Sequence, residues 1–364
     1  MILTFLIVLA CIGWTTWCWW RILPFSILGK TLAAALYVAA FLGIFVYFKW
    51  GDRMPIWLTA ATYEISTSWM IFFVYSLLFF VILTIGKWCH LVPAAFLKDS
   101  WTGTAAVLGA LVILLTYGNL HYHHKYREAI DIQTEKPLEK PVRIVLASDL
   151  HVGYHNRKKE LDRWVRLINN ENPDLVLVAG DIIDRDLRPV RTWHYDESFR
   201  ALQAPVYACL GNHEYISGEE GSERFYADAG ITLLRDSVAT AEGIRIIGRD
   251  DRSNRHRKDL QGIMGQMQSS DPARQDSLYT ILLDHQPYYL EEAEQAGIDF
   301  QFSGHTHHGQ IWPGNWITDA MFEKAYGPYQ KGDTRYYVSS GLGLWGGKFR
   351  IGTRSEYVVL TLHN

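Results

Sequence analysis

Cysteine is scarce in this 364-residue chain, with four in all. Cys11, Cys18 and Cys89 lie in or beside apolar segments and Cys209 stands alone in the polar part, which argues against a disulfide framework. Net charge is low too. The 35 Lys and Arg against 38 Asp and Glu leave −3, so a polyanion finds no global support and no nucleic-acid partner is expected. Charge is scarcest near the start, where residues 2–20, ILTFLIVLACIGWTTWCWW, carry none. That run is about long enough for a hydrocarbon core of roughly 30 Å. A cleavable signal peptide is disfavoured, because the run begins without Lys or Arg and ends in bulky Trp rather than small residues. Internal repeats and low-complexity tracts are absent as well.

Aromatics are abundant at 14%, and several of the 14 Trp sit at the ends of apolar runs. After residues 2–20 such runs recur at 31–48, 65–86 and 101–120. Trp14, Trp17, Trp19, Trp20, Trp50 and Trp69 suit an interfacial aromatic belt. The four stretches have almost no polar face, which excludes buried helices of a soluble domain and predicts a transmembrane region over residues 1–120. An even number of spans puts the N-terminus and the polar part on one side. Lys49, Arg53, Lys125, Arg127 and Lys136 flank the spans there, against Arg21, Lys30, Lys87 and Lys98 opposite. Five against four favours a cytoplasmic polar part. With no ionisable residue expected mid-span, a transporter pathway is unsupported.

Residues 121–140 read as a linker, after which residues 141–364 alternate apolar β-branched runs with helix-like stretches, an α/β pattern. VRIVLAS, LVLVAG, VYACLGN, ITLLRD, GIRIIGRD, YTILLDH, DFQFSGH, RYYVSSG and EYVVLTL are the expected strands. In KKELDRWVRLINN, Leu161, Trp164, Val165 and Ile168 fall on one helical face. Several strands end in a small residue followed by a side chain able to bind a metal: Asp149 and His151, Asp181, Asn212 and His213, His285, and His305 and His307. Ligand sites in α/β sheets collect beyond the carboxyl ends of strands. Gly180, Gly211 and Gly304 precede these residues, as sharp turns or close backbone approaches require. So many polar groups beneath one mouth would be costly without a cation.

The ordered set D-x-H, G-D, G-N-H-E, H, G-H-x-H over residues 141–364 resembles the calcineurin-like metallophosphoesterase superfamily. With its spans the chain also resembles transmembrane metallophosphoesterases and, more loosely, the bacterial branch that includes a membrane-bound UDP-2,3-diacylglucosamine pyrophosphohydrolase. The resemblance implies a four-layer α-β-β-α sandwich of two mixed sheets, here preceded by an all-α membrane region of about four helices. It implies two divalent ions, one held by Asp149, His151 and His307, the other by Asn212, His285 and His305, with Asp181 bridging. A hydroxide bridging the ions would attack phosphorus, and His213 would approach the leaving group. Oxygen and nitrogen donors without thiolate suit Mn, with Fe or Zn as alternatives.

His305 and His307, alternating along the chain, are expected to reach different ions while Thr306 points away, and His308 reads as a rim residue. Trp312, Trp316, Phe322, Tyr326, Tyr329 and Trp345 crowd a region between strands, as a packed loop or as an apolar lip for an acyl chain or a base. Arg249, Arg252, Arg255, Arg257 and Lys258 form a basic run, read as a solvated loop or a contact for anionic headgroups or phosphates. The reading is a phosphoesterase of the bacterial inner membrane that cleaves a phosphodiester or pyrophosphate in a phosphorylated lipid or sugar nucleotide. A tethered nucleotide phosphodiesterase or phosphomonoesterase and a catalytically silent membrane scaffold are the competing readings. Oligomeric state is not legible in the sequence.

Overall fold

Four long helices open the chain: α1 (Ile2–Ile22), α2 (Ile27–Trp50), α3 (Ile56–Trp88) and α4 (Trp101–His123). All four are long and apolar enough to cross a membrane. The computed structural model describes residues 2–265 and 277–364. They form two units, one running to Leu120 with residues Gly346–Phe349, the other comprising His121–Trp345 and Arg350–Asn364.

In the first unit burial runs opposite to that of a water-soluble bundle. Leu36 and Ile113 are each 72% exposed, whereas Thr15, Thr59, Ser66, Thr67 and Ser76 are buried. Thr15 donates to the carbonyl of Ile12, and Thr67 to that of Tyr63 at 2.7 Å, so these two hydroxyls are satisfied along their own helices. The third span starts at Ile56, nine residues before the apolar run that announced it. Pro55 supplies the break, and the extension takes in Glu64, which lies just before the expected run 65–86.

Among the described residues the second unit holds twelve strands. One sheet is ordered β1-β12-β2-β3-β4-β5, built from β1 (Lys125–Gln133), β2 (Val142–Ala147), β3 (Leu175–Ala179), β4 (Val206–Cys209), β5 (Ile231–Leu233) and β12 (Ser355–His363). The other is ordered β10-β11-β9-β8-β7-β6, built from β6 (Ser237–Ala241), β7 (Ile244–Gly248), β8 (Tyr279–Leu283), β9 (Phe300–Ser303), β10 (Gly327–Lys331) and β11 (Thr334–Val338). Both are mixed: β2, β3, β4 and β5 run parallel, as do β7, β8, β9 and β11, while β12 is antiparallel to β2, and β6 and β10 are antiparallel to their neighbours.

Strand alternation sorts the core into layers. Ile144, Leu146, Leu177, Ile246, Ile281, Leu283 and Phe302 meet between the sheets. Val145, Ala147, Val176 and Val178 turn outward onto α5 (Lys158–Asn170), whose Leu161, Trp164, Val165 and Ile168 are all buried. Ile247, Leu282 and Tyr336 leave the second sheet's far face and pack on Leu260, Ile263 and Ala293 of short helices. The expected α-β-β-α order is the one found.

Three strands went unread. The supposed linker contains β1, which pairs in parallel with β12 from Lys125↔Ser355 to Gln133↔His363. The stretch before RYYVSSG is not one loop, since it carries a helix over Gly314–Met321 and then β10. With β6, these three strands all lie at sheet edges, where few side chains are buried and the apolar signal is thin.

Candidate active site

The donors stand where parallel strands of both sheets stop. Asp149 and His151 follow β2, Asp181 follows β3, and Asn212 and His213 begin a short helix after β4. From the second sheet, His285 follows β8, and His305 and His307 follow β9. The turns are tight. Asp149, His151, Asp181, His305 and His307 all have φ between 46° and 69°, left-handed backbone that non-glycine residues rarely adopt. Sustained strain of this kind, of order 1 kcal/mol or more at each position, marks a functional site. A Cβ on Gly211 would run into Asp181 Oδ1, and one on Gly304 into Asp149 Oδ2, so both glycines permit close approach.

Two groups of donors result. In one, His151 Nε2 and His307 Nε2 lie 3.1 Å apart, with Asp149 Oδ1 at 3.9 and 3.6 Å from them. In the other, His285 Nε2 lies 3.1 Å from Asp181 Oδ2 and 3.2 Å from Asn212 Oδ1, which is 2.9 Å from His305 Nδ1. Asp181 Oδ2 is also 3.6 Å from His151 Nε2, so one oxygen faces both groups. His285 Nδ1–H donates to the Ala179 carbonyl at 2.8 Å, which turns Nε2 toward the donors. His305 and His307 do join different groups, but not by strand alternation. Both sit on left-handed turns, and Thr306 donates to the Ala325 carbonyl at 2.6 Å.

His213 belongs beside this set. Its backbone N–H donates to Asp181 Oδ1 at 2.8 Å, and its Nδ1–H to the Asp184 carbonyl, which leaves Nε2 free to act. Burial lowers its pKa, but the Asp181 and Asp184 carboxylates outweigh burial and raise it. Asp184 and Glu214 were missed in the sequence. Asp184 Oδ1 lies 3.4 Å from His151 Nδ1 and 3.6 Å from His213 Nδ1. Burial pushes Asp184 up, yet His151 and the neighbouring imidazoles pull it down to about 2. Glu214 accepts the backbone N–H groups of Asp181, Ile183 and Gly211 at 2.8 to 3.0 Å and so clamps two donor turns together. The acid three residues after Asp181 and the last residue of GNHE were the available signals. His308 stays outside both groups, stacked 4.6 Å from Tyr326 with Nε2 3.5 Å from Asp319.

The donors fit a pair of divalent ions. Ligands about 2.1 Å from a shared ion lie roughly 3.0 to 3.4 Å from one another, close to the separations above. The cluster's own electrostatics point the same way. Burial raises Asp149, while the charge of Asp181 overcomes burial to raise His285 well above the usual imidazole range. A cation would compensate the same buried carboxylates.

Residues 142–309 match the calcineurin-like phosphoesterase family. An uncharacterized metallophosphoesterase of Campylobacter jejuni is 31% identical over 261 residues, covering 69% of this chain and 67% of that protein. Another, from Bacillus subtilis, is 31% identical over 288 residues, covering 73% of this chain and 96% of its own. The chain belongs to the calcineurin-like metallophosphoesterase family. It is a metal-dependent phosphoester hydrolase of a family that uses a dinuclear divalent site. A transmembrane protein with a metallophosphoesterase domain from Danio rerio is 27% identical over 334 residues, 85% of this chain and 75% of that protein. That share exceeds the part of this phosphoesterase after Leu120, so the likeness reaches into its apolar helices.

Proposed function

We propose that this phosphoesterase hydrolyses a phosphodiester or pyrophosphate bond in a lipid-linked or sugar-nucleotide substrate, at the bacterial inner membrane and on its cytoplasmic side. Asp149, His151 and His307 would hold one ion, Asn212, His285 and His305 the other, and Asp181 both, with Mn the favoured metal. Such ions acidify bound water and neutralise phosphoryl oxygens. The protein's own part is to orient and to move a proton. His213, fixed through Nδ1, presents Nε2 to the departing oxygen, and Glu214 keeps the donor turns in register.

The observation that carries the lipid reading is the surface that follows the donor loop. Trp316, Ile317 and Met321 on the helix Gly314–Met321 are 62 to 64% exposed, and Trp312 packs edge-on against Trp316 at 5.4 Å. A contiguous exposed apolar face of this kind suits an acyl chain or a bilayer surface. The apolar helices would tether the enzyme where lipid phosphates are concentrated, and the five-to-four balance of basic residues supports the cytoplasmic side. Metal-loaded protein should turn over detergent-dispersed lipid phosphodiesters or lipid pyrophosphates with a higher kcat/KM than soluble nucleotides. Turnover of soluble nucleotides alone would replace this reading with a tethered nucleotide phosphodiesterase.

A further inference from the structure

The basic run 249–259 is not one solvated patch. Arg249, 5% exposed, pairs with Asp284 at 3.3 Å and with Glu292. Arg257 reaches the other oxygen of Asp284 at 3.2 Å and the Asp250 carbonyl at 3.1 Å. Those two charges are neutralised within the fold. Arg252 is not. Its guanidinium lies over two rings, 4.9 Å from the centroid of Tyr288 and 4.5 Å from that of Tyr289. Among the described residues its Nη1 is buried without a hydrogen-bond partner, and no carboxylate pairs with it. The adjacent acid is already engaged, since Asp251 accepts from the Gln286 side-chain amide at 2.9 and 3.1 Å and from the Ser253 N–H at 2.8 Å.

Those contacts tie Arg252 to the donors. Gln286 follows His285 directly, so Asp251 fixes the arginine's loop against the strand end that carries a candidate ligand. A row of rings makes a second connection: Tyr288 packs on Phe322 at 4.8 Å, and Phe322 faces His305 at 6.2 Å. Arg252 therefore stands on the side of the group formed by Asn212, His285 and His305, three ring contacts from His305. A guanidinium held flat by aromatic faces, with N–H groups unspent, is suited to bidentate contact with phosphate oxygens. It is badly suited to a neutral or apolar group, which would leave those donors unpaired.

We propose that Arg252 binds a second phosphate of the substrate, the one joined to the phosphate under attack, and so selects pyrophosphate-linked substrates over simple diesters. The inference rests on the phosphoesterase reading of the donor site and narrows its substrate class. In the reaction, water adds its oxygen to one phosphorus and releases a proton to solvent, the bridging P–O bond breaks, and the departing phosphate leaves with the electron pair and with charge that Arg252 offsets.

The test uses the full chain, metal-loaded in detergent, with two artificial substrates that differ in phosphate number: bis(p-nitrophenyl) phosphate and P1,P2-bis(p-nitrophenyl) diphosphate. Wild type should favour the diphosphate. Arg252→Gln should cut kcat/KM for the diphosphate roughly 10- to 100-fold and change the diester less than about threefold, with Arg252→Lys in between. Elemental analysis should find the same metal content in all three proteins. Equal losses on both substrates, no loss on either, or a wild type indifferent to the second phosphate overturns the assignment of Arg252 while leaving the hydrolytic site standing. A metal-loaded wild type that cleaves neither substrate sinks the hydrolytic reading itself, and this inference with it.

Discussion

The two donor groups share Asp181 and little else. Asp149, His151 and His307 are 5% exposed or less, backed by Asp184 and by Arg350, which donates to the His307 carbonyl at 2.7 Å. Asn212 and His305 are only partly buried, and the rings of Phe322 and then Tyr288 lie on their side. The closed group is walled off from solvent by protein. The open one leaves room for exchangeable ligands, as catalytic sites do. Substrate is thus expected to arrive over Asn212 and His305, the side on which Arg252 stands.

The largest effect should come from the residue common to both. Asp181→Ala should lower hydrolysis of an artificial diester by about 10³-fold or more, with metal content dropping below one per chain and membrane insertion unchanged. A variant that keeps one ion fully bound would show that the groups are independent. Next comes His213→Gln, expected to slow turnover roughly 10²- to 10³-fold with both ions retained. Loss of metal there would move His213 from proton carrier to ligand. The finest discrimination is kinetic. A chelator should strip metal in two phases about tenfold or more apart, and His305→Ala should abolish only the fast one. A single phase in wild type would erase the distinction between open and closed.

What the sequence revealed and what it hid follow from how each element meets solvent. Central strands bury both faces, so VRIVLAS and LVLVAG announce themselves, and α5 shows its buried face at helical spacing. β1 carries Lys125, Arg127, Glu128 and Asp131 within nine residues, because an edge strand has one side to protect, and it passed for a linker. At the site, the chemical types of the donors were legible and their backbone was not. Left-handed turns at His305 and His307 arise from crowding between strand ends of two sheets, which no local pattern encodes. Asp184 escaped for a similar reason, since its meaning lies in His151 and His213, residues remote in sequence. The basic run was only half legible, because Asp284 and Glu292, the acids that neutralise its Arg249 and Arg257, lie far along the chain.

The spacing of the two donor groups has a further consequence. Asp149, Asp181 and Asn212 hang from one sheet, His285 and His305 from the other, and the layer between those sheets sets the gap. Leu146, Ala179, Leu283 and Phe302, close before the donor turns, act as a gauge block for chemistry they never touch. Trimming Phe302 would let the sheets settle closer, and a shift of about 1 Å in such geometry can cost roughly 10²-fold in rate. Catalytic tuning in this enzyme is therefore open to greasy residues far from any phosphate.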